Sequence, residues 1–130
     1  LVTGIRLPLP AGPHGGAYVK LGRYRGEDLA QASVAVLALP GGVRRVAFGA
    51  LAAKPLRAPK IEALLAGKPL SDELIGEAKA LLASEISPIT DVRATKEYRS
   101  LATVVMLERA LRAAESRLDG RGPAYGERLI

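Results

Sequence analysis

The chain has 130 residues, 48% of them hydrophobic and 25% charged, which suits one folded domain with one core and excludes a disordered or fibrous chain. It has no cysteine and a single histidine, which excludes a disulfide framework or an iron–sulfur cluster on its own thiolates and argues against a self-contained metal site. The net charge is +6, but the basic residues are scattered and the only aromatics are four Tyr and one Phe, so no nucleic acid is expected as a partner.

No stretch approaches the ~18 consecutive apolar residues of a transmembrane segment, and Leu1-Val2-Thr3-Gly4 lacks the basic-then-apolar layout of a signal peptide. A soluble, cytoplasmic chain is expected. Leu1 begins in the middle of a strand-like pattern, which predicts that the chain is a piece of a longer one.

The first half carries period-two patterns bounded by Gly and Pro, and it predicts four strands. Residues 2–7 alternate Val2, Gly4 and Arg6 against Thr3, Ile5 and Leu7, and Pro8 and Pro10 stop the run. After a loop over 11–16, residues 17–23 place Val19 and Leu21 on one face and Tyr18, Lys20 and Gly22 on the other, so Lys20 is not on the core face. Residues 32–39 are nearly all apolar and meet Pro40-Gly41-Gly42, a reversal that pairs them with a strand over 43–53.

From residue 59 the period changes to 3.6, predicting three helices. The first starts at Pro59 and ends before Gly67. Ser71 caps the second, whose stripe is Leu74, Ala78, Leu81, Leu82 and Glu85 or Ile86. The third runs from the cap Thr95 to Arg117, with Leu101, Val104, Leu107, Leu111, Ala114 and Leu118 as its buried seam and Glu108 and Arg112 on its wet side. The expected fold is α+β: an antiparallel sheet of about four strands followed by three helices packed on one face. Residues 1–118 form the domain, and 119–130, opened by Asp119-Gly120, form a tail that is flexible or docks on a partner.

A self-sufficient active site is not legible. There is no GxGxxG after a strand, no GxxxxGK, no nucleophile elbow and no HExxH, so no residue is assigned a catalytic or metal-binding role. Gly15-Gly16 and Gly41-Gly42 are read as turns, His14 as a solvated loop residue, and Glu27-Asp28 as a charged turn. Asp91, Arg93, Tyr98 and Arg99 are read as a carboxylate–guanidinium fork locking the third helix to its loop. Lys20, flanked by Tyr18 and Gly22, is a cation on a non-core face that either meets an anionic or electron-rich partner or is a plain exposed strand lysine.

Four stretches in order carry a resemblance. They are Thr3-Gly4-Ile5-Arg6-Leu7-Pro8; Ala17-Tyr18-Val19-Lys20-Leu21-Gly22-Arg23 with Glu27-Asp28-Leu29-Ala30; Val46-Ala47-Phe48-Gly49-Ala50-Leu51-Ala52 leading to Pro55-Leu56-Arg57-Ala58; and Gly67-Lys68-Pro69-Leu70 with Pro88-Ile89-Thr90-Asp91-Val92-Arg93-Ala94-Thr95 and Glu97-Tyr98-Arg99. Together they resemble the carboxy-terminal domain of the FAD-binding medium subunit of molybdenum hydroxylases, the carbon monoxide dehydrogenase and xanthine dehydrogenase family. Ala50 stands where the family often has a second glycine, and Thr95 where serine is common.

The resemblance implies a domain that closes over FAD and helps pass electrons from iron–sulfur clusters to an external acceptor. Its implied partners are an amino-terminal FAD-binding domain of the same chain, a molybdenum large subunit carrying the molybdenum cofactor, and an iron–sulfur small subunit. By position it implies Val2 as the aliphatic residue packed against the flavin and Lys20 as the flavin-side cation. The family's glycine-rich flavin loops have no counterpart here, so these residues alone are expected to bind FAD weakly or not at all and to be inactive. The alternative is a non-catalytic subunit-docking module of a larger complex.

Overall fold

A computed structural model describes residues 1–24 and 29–129. Four strands, β1 (Gly15–Leu21), β2 (Ala32–Leu39), β3 (Val43–Gly49) and β4 (Leu56–Arg57), form one antiparallel sheet in the order β1-β2-β3-β4. Three helices follow: α1 (Pro59–Leu65), α2 (Asp72–Leu81) and α3 (Lys96–Leu118). The α+β expectation and the β2–β3 hairpin hold. Gly41 and Gly42, both at positive φ, make its reversal after Pro40.

One expected strand is absent from the sheet. Residues 2–7 form no ladder, and Val2, Ile5 and Leu7 are exposed. Period-two alternation says only that a segment suits an extended backbone; a strand also needs a neighbour whose N–H and C=O groups meet it. The fourth strand is instead Leu56–Arg57, too short to show a period. The strand expected over 43–53 ends at Gly49 because Ala50 adopts φ 60 and turns the chain so that Leu51 enters the core.

Helices cover one face of the sheet only. α3 lies on β1 and β2, and α1 lies on β3. The core joins Val19, Val34, Val36, Val46 and Phe48 from the sheet to Ile61, Leu65, Ile75, Met106, Leu107 and Leu111 from the helices. Burial of each large side chain contributes ~1.5–3 kcal/mol. Gly15 and Gly16 are not a turn but open β1. A Cβ on Gly15 would stand 2.0 Å from the Ala114 carbonyl oxygen, so its absence lets strand and helix meet.

The inward seam of α3 differs from the apolar stripe expected at its start. Leu101 is 70% exposed, while Arg99 and Thr103 are buried ahead of Met106, Leu107, Ala110 and Leu111. A hydrophobic count cannot register a guanidinium as a core residue, and here Arg99 sets the helix's rotation. It donates to the carbonyls of Gln31 (2.5 Å) and Ala50 (3.2 Å) and to Asp91 Oδ1 (2.7 Å), which is the fork expected of Asp91 and Arg99. Tyr98 stands outside it, half exposed.

A second buried guanidinium ties together β3, α1 and α3. Arg44, 2% exposed, makes a two-pronged pair with Glu115 (3.0 and 2.8 Å) and donates to the carbonyls of Leu65 and Lys68 (3.0 and 2.9 Å). Ser71 and Thr95 cap α2 and α3 as expected, accepting from Leu74 N and Tyr98 N. On the wet side, Glu108 pairs with Arg112 and Lys79.

Candidate functional site

The face of the sheet away from the helices stays open, and register decides what it displays. Tyr18, Ala35, Ala47 and Arg57 form one row across the four strands; Gly16, Leu37 and Arg45 form the row on one side, and Lys20, Ser33 and Gly49 the row on the other. The middle of the face is therefore a low floor of Ala35 and Ala47, with Gly49 and the buried Ser33 beyond it. A Cβ on Gly49 would come within 2.5 Å of Ser33 Oγ, so glycine lets these two neighbours in the row pack closely.

Taller side chains wall this floor. Tyr18, 60% exposed, and Lys20 stand along the β1 edge, and Arg45 and Arg57 stand on the opposite side. Residues 125–129 and Arg117 close one end, giving a groove of about 1100 Å³. This exceeds the ~300–1,000 Å³ of a typical small-molecule pocket, and it is open along its length, as suits a surface completed by a second body.

The cations in the walls are held differently. Arg57 donates to both oxygens of Glu62 (2.6 Å each), Arg45 reaches the same carboxylate at 3.5 Å, and Val46 N–H donates to it at 2.9 Å. Burial pushes the Glu62 carboxyl upward, but these bonds outweigh it and hold it below its ordinary value of 4.5. One carboxylate thus serves two guanidiniums, leaving that wall net positive. Lys20 has no hydrogen-bond or ion-pair partner among the described residues. Its ammonium faces the groove uncompensated.

Of the two expected cofactor-side residues, Lys20 lines the groove and Val2 does not. Val2 is 83% exposed in the N-terminal segment, so the structure does not bring the two together. That segment passes near the open face only at residues 8–13, beside Leu37 and Leu39. His14 bonds the Gly12 carbonyl in an exposed loop, as expected of a solvated loop residue. Glu27-Asp28 lie outside the described residues. Arg45 and Arg57 were missed as groove residues, although alternation along 43–49 places Arg45 on the same face as Ala47 and Gly49. Arg117 and the tail gave no such signal.

The groove's residues fit one side of a flat ring: a low apolar floor between walls that carry Tyr18 and the cations Lys20, Arg45 and Arg57. Among the described residues no glycine-rich loop runs from the groove into a helix start, the arrangement that cradles a pyrophosphate. No group of three or more His, Asp or Glu that could hold a metal ion occurs among the described residues. Among the described residues no helix is long and apolar enough to cross a membrane.

Residues 17–114 match the family described as the CO dehydrogenase flavoprotein C-terminal domain. The chain is 35% identical over 120 residues to the carbon monoxide dehydrogenase medium chain of Afipia carboxidovorans, covering 90% of this chain and 42% of that one. It is 34% identical over 116 residues to the glyceraldehyde dehydrogenase medium chain of Sulfolobus acidocaldarius, covering 86% and 41%. The solved CO dehydrogenase from Oligotropha carboxidovorans superposes with a TM-score of 0.77 at 35% identity, covering 85% of this chain and 40% of that one. The chain thus spans about two fifths of the length of the relatives it matches.

Proposed function

We propose, from the premise that this chain belongs to the CO dehydrogenase flavoprotein C-terminal domain family, that it is the C-terminal domain of the FAD-carrying medium subunit of a molybdenum hydroxylase and that its open sheet face closes over the flavin. The observation that carries this reading is the uncovered Tyr18/Lys20 face. Had the helices packed on that side, Lys20 would have had no cleft to face.

An amino-terminal domain of the same chain completes the pocket and holds the pyrophosphate, for which the described residues offer no glycine-rich loop running from the groove into a helix start. A molybdenum large subunit and an iron–sulfur small subunit are the partners. Bound flavin supplies the exchange of electrons between the iron–sulfur relay and an external acceptor. The residues of this chain exclude water and set the local field. Ala35 and Ala47 allow close approach of a flat ring, Tyr18 and Leu37 make the surroundings apolar, and Lys20 favours negative charge placed beside it. In this reading Val2 supplies a further apolar contact once its segment is ordered against the rest of the subunit.

A unit charge ~4 Å from another is worth between ~1 kcal/mol in water and ~4 kcal/mol near a protein surface. In the complete subunit, Lys20→Met is therefore expected to lower the two-electron flavin midpoint potential by ~20–90 mV and to change the reoxidation rate. Unchanged values of both, measured by redox titration and stopped flow, remove Lys20 from the site.

A second reading, a subunit-docking module without a redox role, is favoured by one observation. Ile89, Val92, Leu101 and Val105 are exposed, and none of them lines the groove. It predicts that charges on this patch break assembly while groove variants leave the flavin untouched.

A further inference from the structure

The tail after α3 forms part of the groove, and Arg117 makes more of the bonds that hold it than any other side chain. Arg117 donates from Nη1 to the Gly16 carbonyl (2.7 Å), from Nε to that of Pro123 (2.8 Å) and from Nη2 to that of Ala124 (2.9 Å). Its guanidinium also lies 4.5 Å from the centre of the Tyr125 ring. The Tyr125 hydroxyl in turn accepts from Gly16 N–H at 3.3 Å, and Arg109 donates to the Leu129 carbonyl at 3.0 Å. Gly16 lies on an edge strand with both of its backbone groups bonded outside the sheet: Tyr125 of the tail accepts from its N–H and Arg117 of α3 donates to its carbonyl.

The tail's own sequence is adapted to this path. A Cβ on Gly122 would stand 2.6 Å from Arg117 Cγ and 2.8 Å from Arg117 N, so only glycine lets the backbone lie over the clasping residue. Among the described residues Arg117 has no carboxylate partner and its acceptors are carbonyls, so the clasp leaves its positive charge facing the groove. The family match ends at residue 114, before both Arg117 and the tail.

We propose that residues 123–129 are a strap, clasped by Arg117, that closes one end of the open-face groove and limits solvent access to whatever occupies it. This rests on the reading of that face as the flavin-facing one. Arg117 is a positioning residue: it acts by fixing Tyr125 and the strap backbone. Strap and Lys20 lie at opposite ends of the β1 wall, since Gly16 and Lys20 are ~13 Å apart at ~3.3 Å per residue. The strap is thus placed to govern entry at one end without touching the cation at the other.

The test uses the complete flavin-loaded subunit with Arg117→Ala, Arg117→Lys and Tyr125→Ala, and two readouts. Hydrogen exchange at the Gly16 amide reports the strap itself, whatever the groove holds. Acrylamide quenching of flavin fluorescence, which is insensitive to charge, reports access. The expected result is roughly tenfold faster Gly16 exchange in all three variants, with Arg117→Lys no better than Arg117→Ala because an ammonium cannot span three carbonyls. Quenching constants are expected to rise about twofold, with the flavin potential unmoved in Arg117→Lys and Tyr125→Ala, which keep the positive charge at residue 117.

Faster exchange with unchanged quenching overturns the strap's role in access, and unchanged exchange in all three variants overturns the clasp. Failure of the flavin reading shows elsewhere, as groove-floor and Lys20 variants that leave flavin content and potential unaltered. If Arg117→Ala does not fold, Tyr125→Ala, which removes only exposed tail contacts, gives the same two readouts.

Discussion

The two faces of the sheet use their cations in opposite ways. On the helix-covered face Arg44 and Arg99 are 2% and 3% exposed, and between them they engage two carboxylates and several carbonyls. On the open face Lys20 has no partner among the described residues, and Arg45 and Arg57 share one carboxylate. A cation saturated with internal acceptors fixes geometry and has nothing left for a ligand. One left unsaturated beside an apolar floor adds little to folding and is available for binding.

The sharpest way to break this contrast is Arg44→Met. It leaves the Glu115 carboxylate and the carbonyls of Leu65 and Lys68 without their donor, and ~3–5 kcal/mol of stability is expected to go, read as a lower urea midpoint. Lys20→Met, by contrast, is expected to leave the midpoint unmoved within ~0.5 kcal/mol.

A smaller and pH-dependent effect comes from Asp91, which shares the helix-face network. The Arg93 backbone N–H, then that of Ala94 and the Arg99 guanidinium, hold its carboxyl at about 2 against an ordinary 3.8. A lowered folded-state value means that the stabilisation is fully present above 3.8 and is lost as the pH falls through about 2. Asp91→Asn should therefore melt below wild type at neutral pH, with the gap narrowing across that window. A gap independent of pH would show that the charge is not what Arg99 and the loop amides hold.

The smallest expected change is a gain. Ala50 sits at φ 60, a conformation that disfavours a Cβ, so Ala50→Gly should stabilise the fold by ~0.5–1 kcal/mol. An unchanged melting temperature would show that the surroundings have already absorbed the strain.

Much of this was legible in the sequence. The β2–β3 reversal, both side-chain helix caps, the Asp91–Arg99 fork and the outward face of Lys20 follow from local rules about turns, caps and alternation. What was not legible depends on neighbours. Residues 2–7 have the period of a strand but no partner among the described residues, and Leu56–Arg57 have the partner without a readable period. The start of the α3 seam was misplaced because its inward residues, Arg99 and Thr103, are polar and a hydrophobic stripe passes over them. Ala50, noted as a departure from the family's usual glycine, gains its physical meaning only from its positive φ. The groove's far wall needs the β2–β3–β4 register, and the Arg117 clasp joins residues about a hundred positions apart.

The central claim is that the open face meets the flavin, and Ala35→Trp tests it most directly. Ala35 lies in the middle of the floor, away from the helix-packed core, so a tryptophan there fills the groove without entering the fold. In the purified complete subunit, flavin per chain read from the absorbance spectrum is expected to fall severalfold at an unchanged melting temperature. Full flavin content with an unaltered midpoint potential in that variant would contradict the account.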